Sequence, residues 1–114
     1  MRQASNLYKA LSDQNRLRIL MMLQEKSMCV CEIVEILQLA NSTVSKHLSI
    51  LRNADLIMDE KDGRWVNYRL ATFVESEKVD SVMSQLNDLL KNDETIKHDH
   101  QLLVDVDRFQ ICGS

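Results

Sequence analysis

Residues 28–37 read MCVCEIVEIL, and the two cysteines separated by one valine are the side chains of this chain best suited to chemistry. Thiolates are the ligands taken by soft metals and by trivalent arsenic and antimony, and a reactive pair can also exchange disulfides. Packing is the competing use, because unpaired cysteine is among the most buried residue types. On a regular helix successive side chains turn by about 100°, so Cys29 and Cys31 there point about 200° apart. They share a ligand only where the backbone leaves the helix, and a ligand that clamps them distorts the start of whatever helix follows. The remaining cysteine is Cys112. Three cysteines are an odd set in a reducing compartment, which argues against a disulfide framework and for metal, redox or packing roles.

The elements that must position this pair follow from the apolar periodicity. With 114 residues the chain is a single small domain or one protomer of an oligomer, and two glycines and no proline favour helices. Leu7 and Leu11 mark a first helix, Asp13 caps a second over QNRLRILMMLQE, and CEIVEIL forms a short third. A polar break precedes a fourth, NSTVSKHLSILR, in which Val44, Leu48 and Leu51 fall at helical spacing and Asn41 or Ser42 is placed to cap. The run LIMDEKDGRWVNYRL then alternates on both sides of Asp62-Gly63, a strong hairpin signal. A helix-turn-helix followed by one hairpin is a winged helix-turn-helix, mainly α with one β-hairpin. Beyond it Val79, Val82, Met83, Leu86, Leu89 and Leu90 form an apolar stripe over residues 74–91. That stripe is expected to meet a second copy, with the first helix beside it, as flanking dimerisation helices of a 1–92 domain. Residues 93–114 are expected to form an irregular helix or tail carrying Cys112.

Charge separates along the same lines. Residues 1–37 and 38–70 each carry +1, and residues 71–114 carry −5, so a nucleic-acid surface belongs to the first 70 residues. Ser42, Thr43, Ser45, Lys46 and His47 project from the first turns of the fourth helix, away from its apolar stripe. Short hydroxyls approach base edges there, while Lys46 and His47 reach bases or phosphates of double-stranded DNA. Lys61 and Arg64 flank the hairpin tip and suit phosphate or the minor groove, whereas Trp65 and Tyr68 are read as packing residues. No apolar run approaches the roughly 18 residues of a membrane span, and the N-terminus lacks a signal peptide's apolar block, which predicts a cytoplasmic protein without membrane partners.

The ordered set LSDQNRLRIL, CVCE, STVSKHLSILRNADLI and DGRWVNYRL resembles the ArsR/SmtB family of metal-sensing winged-helix repressors over about residues 5 to 90. The resemblance implies a homodimer that binds an inverted-repeat operator and releases it when a metal or metalloid binds. Gln38 stands where the family often has glycine. CVCE is similar to the thiolate site of the arsenite/antimonite sensors and to that of the cadmium/lead sensors, with Val34 where the former often have a third cysteine. Cys29, Cys31 and Cys112 then supply three sulfurs, which suit arsenic(III) or antimony(III), whereas cadmium and zinc prefer four donors. The zinc sensors' Asp-x-His start is absent, since two residues after Asp80 stands Val82 rather than histidine, and His98, Asp99 and His100 are read as solvated rather than as a metal site. A repressor triggered by cadmium, lead or zinc, or by thiol oxidation or reactive sulfur, is the alternative within this fold. A small thiol redox enzyme is the alternative outside it, opposed by the lack of a phosphate-cradling loop near the cysteines and by the complete DNA-reading module.

Overall fold

The structure, a computed structural model, describes residues 1–105. Its order is α1 (Arg2–Leu11), α2 (Gln14–Glu25), β1 (Met28–Cys29), α3 (Val30–Leu37), α4 (Asn41–Asn53), β2 (Ile57–Asp62), β3 (Trp65–Leu70), α5 (Lys78–Leu90) and α6 (Glu94–Leu103). This is a winged helix-turn-helix, with α3 and α4 as the two helices and the β2–β3 hairpin as the wing.

Helix α2 is the floor of the domain. Asp13 caps it as expected, its Oδ1 accepting the backbone N–H of Asn15 at 2.8 Å and of Arg16 at 3.2 Å. Ile19, Leu20, Met21, Met22 and Leu23 are all buried, so no side of its middle faces water. A helix apolar all round is a core helix, and α1, α4, α5, α6 and β3 pack around this one.

The stripe on α5 is covered from within the chain, contrary to the expectation that it needs a second copy. Val79, Val82, Met83 and Leu86 are buried in the single protomer, where α5 lies on α2. The large apolar side chain that α5 leaves to solvent is Leu89, and that of α1 is Tyr8. Residues 94–103 form a helix: Asp93 caps α6 by accepting the Ile96 N–H at 3.1 Å, and Ile96, Asp99 and Leu103 are buried. Asp99 is held by Arg18 of α2 through two parallel bonds of 2.9 Å, which docks α6 onto the core with its buried charge paired.

Two details of the helix-turn-helix and its wing depart from expectation. No side chain caps α4, because the helix begins at Asn41 and places Ala40, rather than Asn41 or Ser42, at the N-cap. The wing turns on Gly63-Arg64 rather than Asp62-Gly63: Asp62 pairs with Trp65, and Gly63 takes φ +61° at the first position of the two-residue loop. The added strand β1 pairs Met28 with Tyr68 and Cys29 with Asn67, giving the sheet order β1-β3-β2. Two residues are too short to show an alternating pattern, so β1 carries no periodic signal of its own.

Gln38 ends α3 in the left-handed region, φ 56° and ψ 42°, its N–H donating to the Val34 carbonyl at 2.8 Å and its Nε2 to the Glu35 carbonyl at 2.6 Å. That conformation costs a residue with a Cβ about 1–2 kcal/mol, which glycine avoids. Gln38→Gly is therefore expected to stabilise the domain by about 0.5–1 kcal/mol, raising the thermal midpoint by a few degrees, while Gln38→Ala gives no such gain. Equal midpoints for the glycine and alanine variants in thermal unfolding contradict the assignment.

Candidate functional site

Cys29 stands outside the helix that follows it. With φ −88° and ψ 169° it is the extended N-cap of α3, whereas Cys31 lies in the first turn of that helix. The backbone break required for the pair to converge is therefore built in. The N-cap is closed reciprocally: the Cys29 sulfur accepts the Glu32 backbone N–H, and the Cys29 N–H donates to Glu32 Oε1 at 2.9 Å. This is the arrangement of a capping box with sulfur in place of the usual hydroxyl. Lys26 Nζ lies 3.7 Å from Glu32 Oε2 and balances the buried carboxylate.

Cys29 is a thiol, 2% exposed. Burial pushes its pKa up, the backbone N–H groups of Glu32 and Cys31 pull it back, and the Glu32 carboxylate raises it again, leaving it above the ordinary cysteine value. Cys31 is half-buried and disulfide-bonded. Cys112 lies outside the described residues. Among those residues no three His, Cys, Asp or Glu side chains are grouped to hold a metal ion. The expected solvated histidines divide: His98 is exposed, His100 is half-buried with Nε2 4.0 Å from Glu25 Oε1, and Asp99 points inward to Arg18.

On the opposite side of the helix-turn-helix, α4 turns Val44, Leu48 and Leu51 to the core and exposes Ser42, Thr43, Ser45 and Lys46. His47 is half-buried, and its Nδ1 lies 3.0 Å from Arg16 Nη1. Lys61 sits on β2 beside the wing tip, and Arg64 occupies the tip itself with its guanidinium 4.5 Å over the Trp65 ring. Trp65 thus supports the tip cation as well as packing.

Three residues of this arrangement escaped the sequence reading. Glu32 had a signal, since Cys-x-x-Glu before an apolar run is a capping box once sulfur is allowed as the cap. Arg16 and Arg18 had none, because nothing in an amphipathic pattern marks an arginine that turns inward to a partner.

The shared cap makes a testable statement about Glu32. Glu32→Gln keeps a carbonyl oxygen for the Cys29 N–H and removes the negative charge beside the sulfur. In a Cys31→Ser, Cys112→Ser background, the thiolate absorbance near 240 nm should then appear at lower pH than with Glu32 present, yet still above that of an ordinary cysteine because burial remains. An unchanged or raised titration contradicts this account of the site.

Residues 13–59, which hold α2, both helices of the helix-turn-helix and the first half of β2, match the bacterial regulatory protein arsR family. The arsenical resistance operon repressor of Escherichia coli K12 is 39% identical over 69 residues, which are 60% of this chain and 59% of that protein, so the match spans less than two thirds of that relative. The arsenical resistance operon repressor of Bacillus subtilis 168 is 38% identical over 86 residues, 75% of this chain and 78% of that protein. Among solved structures, HlyU from Vibrio cholerae N16961 is similar with a TM-score of 0.66 and 33% identity, over 77% of this chain and 91% of that one. Its reduced form matches with a TM-score of 0.65. No helix among the described residues is long and apolar enough to cross a membrane. The match of α2, α3 and α4 to the family profile, and of most of the Bacillus repressor's length to this chain, places it in the arsR family of bacterial regulatory proteins.

Proposed function

We propose that this chain is a homodimeric transcriptional repressor that binds an inverted-repeat operator with α4 and the wing, and that lets it go when arsenite or antimonite is taken by cysteine sulfur. The observation that carries this reading is the place of Cys29. It ends β1, which is paired to the wing strand β3, and it caps α3, which leads by a short turn into α4. A ligand on that sulfur competes with the Glu32 N–H and disturbs both DNA-reading elements at once, which gives the coupling a physical route. The exposed hydroxyls and Lys46 of α4, with Lys61 and Arg64 at the wing, form the DNA face. A two-fold dimer sets its half-sites about one helical turn, or a multiple of it, apart. The arsenical repressors among the relatives support the choice of inducer.

The protonated state of Cys29 favours arsenic over a divalent cation. Arsenous acid is neutral and carries each thiol proton away in the water it forms, whereas cadmium or lead must drive that proton into solvent. A thiol whose pKa is raised by burial penalises the second reaction only. Cys29 and Cys31 are the proposed first two sulfur ligands and Cys112 the third.

A second reading keeps the repressor and makes oxidation the trigger. It is favoured by the disulfide-bonded state of Cys31, beside the unoxidised Cys29.

A duplex selected from a random library by the reduced protein separates these readings in a mobility-shift assay with arsenite, antimonite, cadmium and an oxidant. The arsenite reading expects release at a concentration that changes little between pH 6 and pH 8, while the cadmium requirement climbs about tenfold or more per pH unit toward pH 6, one factor of ten for each thiol proton released. Cys29→Ser and Cys31→Ser should still bind the duplex and ignore arsenite, whereas Cys112→Ser should respond at higher inducer concentration. Wild-type responses from either of the first two variants remove the pair as the sensor. Release by oxidant alone, with a disulfide rather than bound arsenic in the mass spectrum, makes oxidation the trigger. Lys46→Ala and Arg64→Ala should each weaken binding and lower the salt slope by about 1. Unchanged affinity in both removes the assigned DNA face.

A further inference from the structure

Arg16 is a buried cation whose donors all leave its own helix. Its Nε donates to the Ala10 carbonyl at 3.0 Å, its Nη2 to the Lys9 carbonyl at 2.9 Å, and its Nη1 lies 3.0 Å from His47 Nδ1. The two carbonyls belong to the last turn of α1, where helical acceptors lack partners and a positive charge is favoured. The third contact reaches the second turn of α4. A guanidinium has donors and no acceptor, so Nδ1 of His47 must accept, and its ring hydrogen must sit on Nε2. One side chain thus joins the end of α1 to the helix proposed to read DNA.

We propose that His47 is a positioning residue rather than a phosphate or base contact: gripped at Nδ1 by Arg16, it fixes how α4 is rolled against α1. This rests on the DNA-binding reading given above and changes the role of one residue within it. Arg16, Ser42, Thr43, Lys46 and His47 line one shallow cleft, so a roll of α4 at this point re-aims the side chains offered to DNA. The charged groups around the imidazole are Arg16 and Asp13 at the start of α2 and Lys46 on α4. Lys9 of α1 meets Arg16 through its carbonyl. The Asp13 carboxylate is committed to the backbone N–H groups of Asn15 and Arg16. Protonation of His47 would turn Nδ1 from acceptor to donor and set two cations against each other, so the contact would be lost.

The direction of the pH effect separates the two roles. A histidine that meets phosphate binds DNA better when protonated, whereas one that must accept from Arg16 binds worse. His47→Gln supplies an oxygen acceptor that does not titrate, and His47→Leu supplies none. With the library-selected duplex, wild-type affinity divided by that of His47→Gln should fall as the pH is lowered from 8 until the imidazole is protonated, and His47→Leu should be weak throughout. Circular dichroism of each variant reports that it is folded. A ratio that rises toward acid pH, or a His47→Leu variant that binds as tightly as wild type, overturns the proposal. A nitrogen-15 spectrum of the DNA-free protein at pH 8 gives a second readout, in which His47 Nδ1 should carry no proton. If it carries one, the proposal fails whatever the DNA result. If no duplex is selected while Nδ1 proves to be the acceptor, the DNA-binding reading fails and the positioning role falls with it, though the Arg16 contact stands.

Discussion

The first turn of α3 is closed by a sulfur and a carboxylate three residues apart, and most of what this protein is proposed to do follows from that closure. The Cys29 sulfur satisfies the Glu32 N–H while Glu32 Oε1 satisfies the Cys29 N–H, so neither side chain can be taken away without exposing a backbone donor in a buried place. The same residue is the last of β1 and is paired with Asn67 of the wing. One atom therefore sits where the sheet ends and the helix-turn-helix begins. A thiol whose only duty was packing would leave these elements independent of its chemistry.

Helix α2 lets the rest of the molecule stay still around that point. Its middle is buried on all sides, and its two arginines, two residues apart, leave it in directions about 200° apart. Arg18 goes to the buried carboxylate of Asp99 and fastens α6, while Arg16 goes to the end of α1 and to His47 of α4. The side of the domain that faces α6 and the side that carries α4 are thus tied to one rigid element by paired or hydrogen-bonded charges. On the proposed reading, a change at the start of α3 would then pass to α4 and the wing rather than into a yielding core.

The apolar run of α2, the Val44, Leu48 and Leu51 stripe of α4, and the turn signal of Asp62-Gly63 between two alternating runs were enough to read a winged helix-turn-helix from the sequence, because each signal spans most of its element. The reading stopped where the physics is not periodic. Strand β1 is two residues long, the α5 stripe has the same pattern whether α2 or a second copy covers it, and Ala40 takes the cap of α4 although two better capping residues follow it. Of the site, Cys29 and Cys31 were visible by type, but the extended backbone that separates their environments was visible only in the structure. Glu32 was visible as the partner in a capping box to a reader willing to put sulfur in the cap position. Gln38 stands where the resembled family often has glycine, and the structure gives the reason in its left-handed backbone.

The most direct test of the central claim is amide hydrogen exchange on the reduced protein with and without arsenite, at a concentration that leaves arsenic bound by mass. If the Cys29 sulfur is drawn from its cap, the N–H groups of Cys29 and Glu32 should lose protection, and the loss should extend along β1 to its β3 partners Asn67 and Tyr68 and into the first turn of α4, while the buried middle of α2 is unchanged. Bound arsenic with full protection retained across residues 28–38 and 66–70 would contradict the account, because the sulfur would then bind its ligand without opening the closure on which the coupling depends.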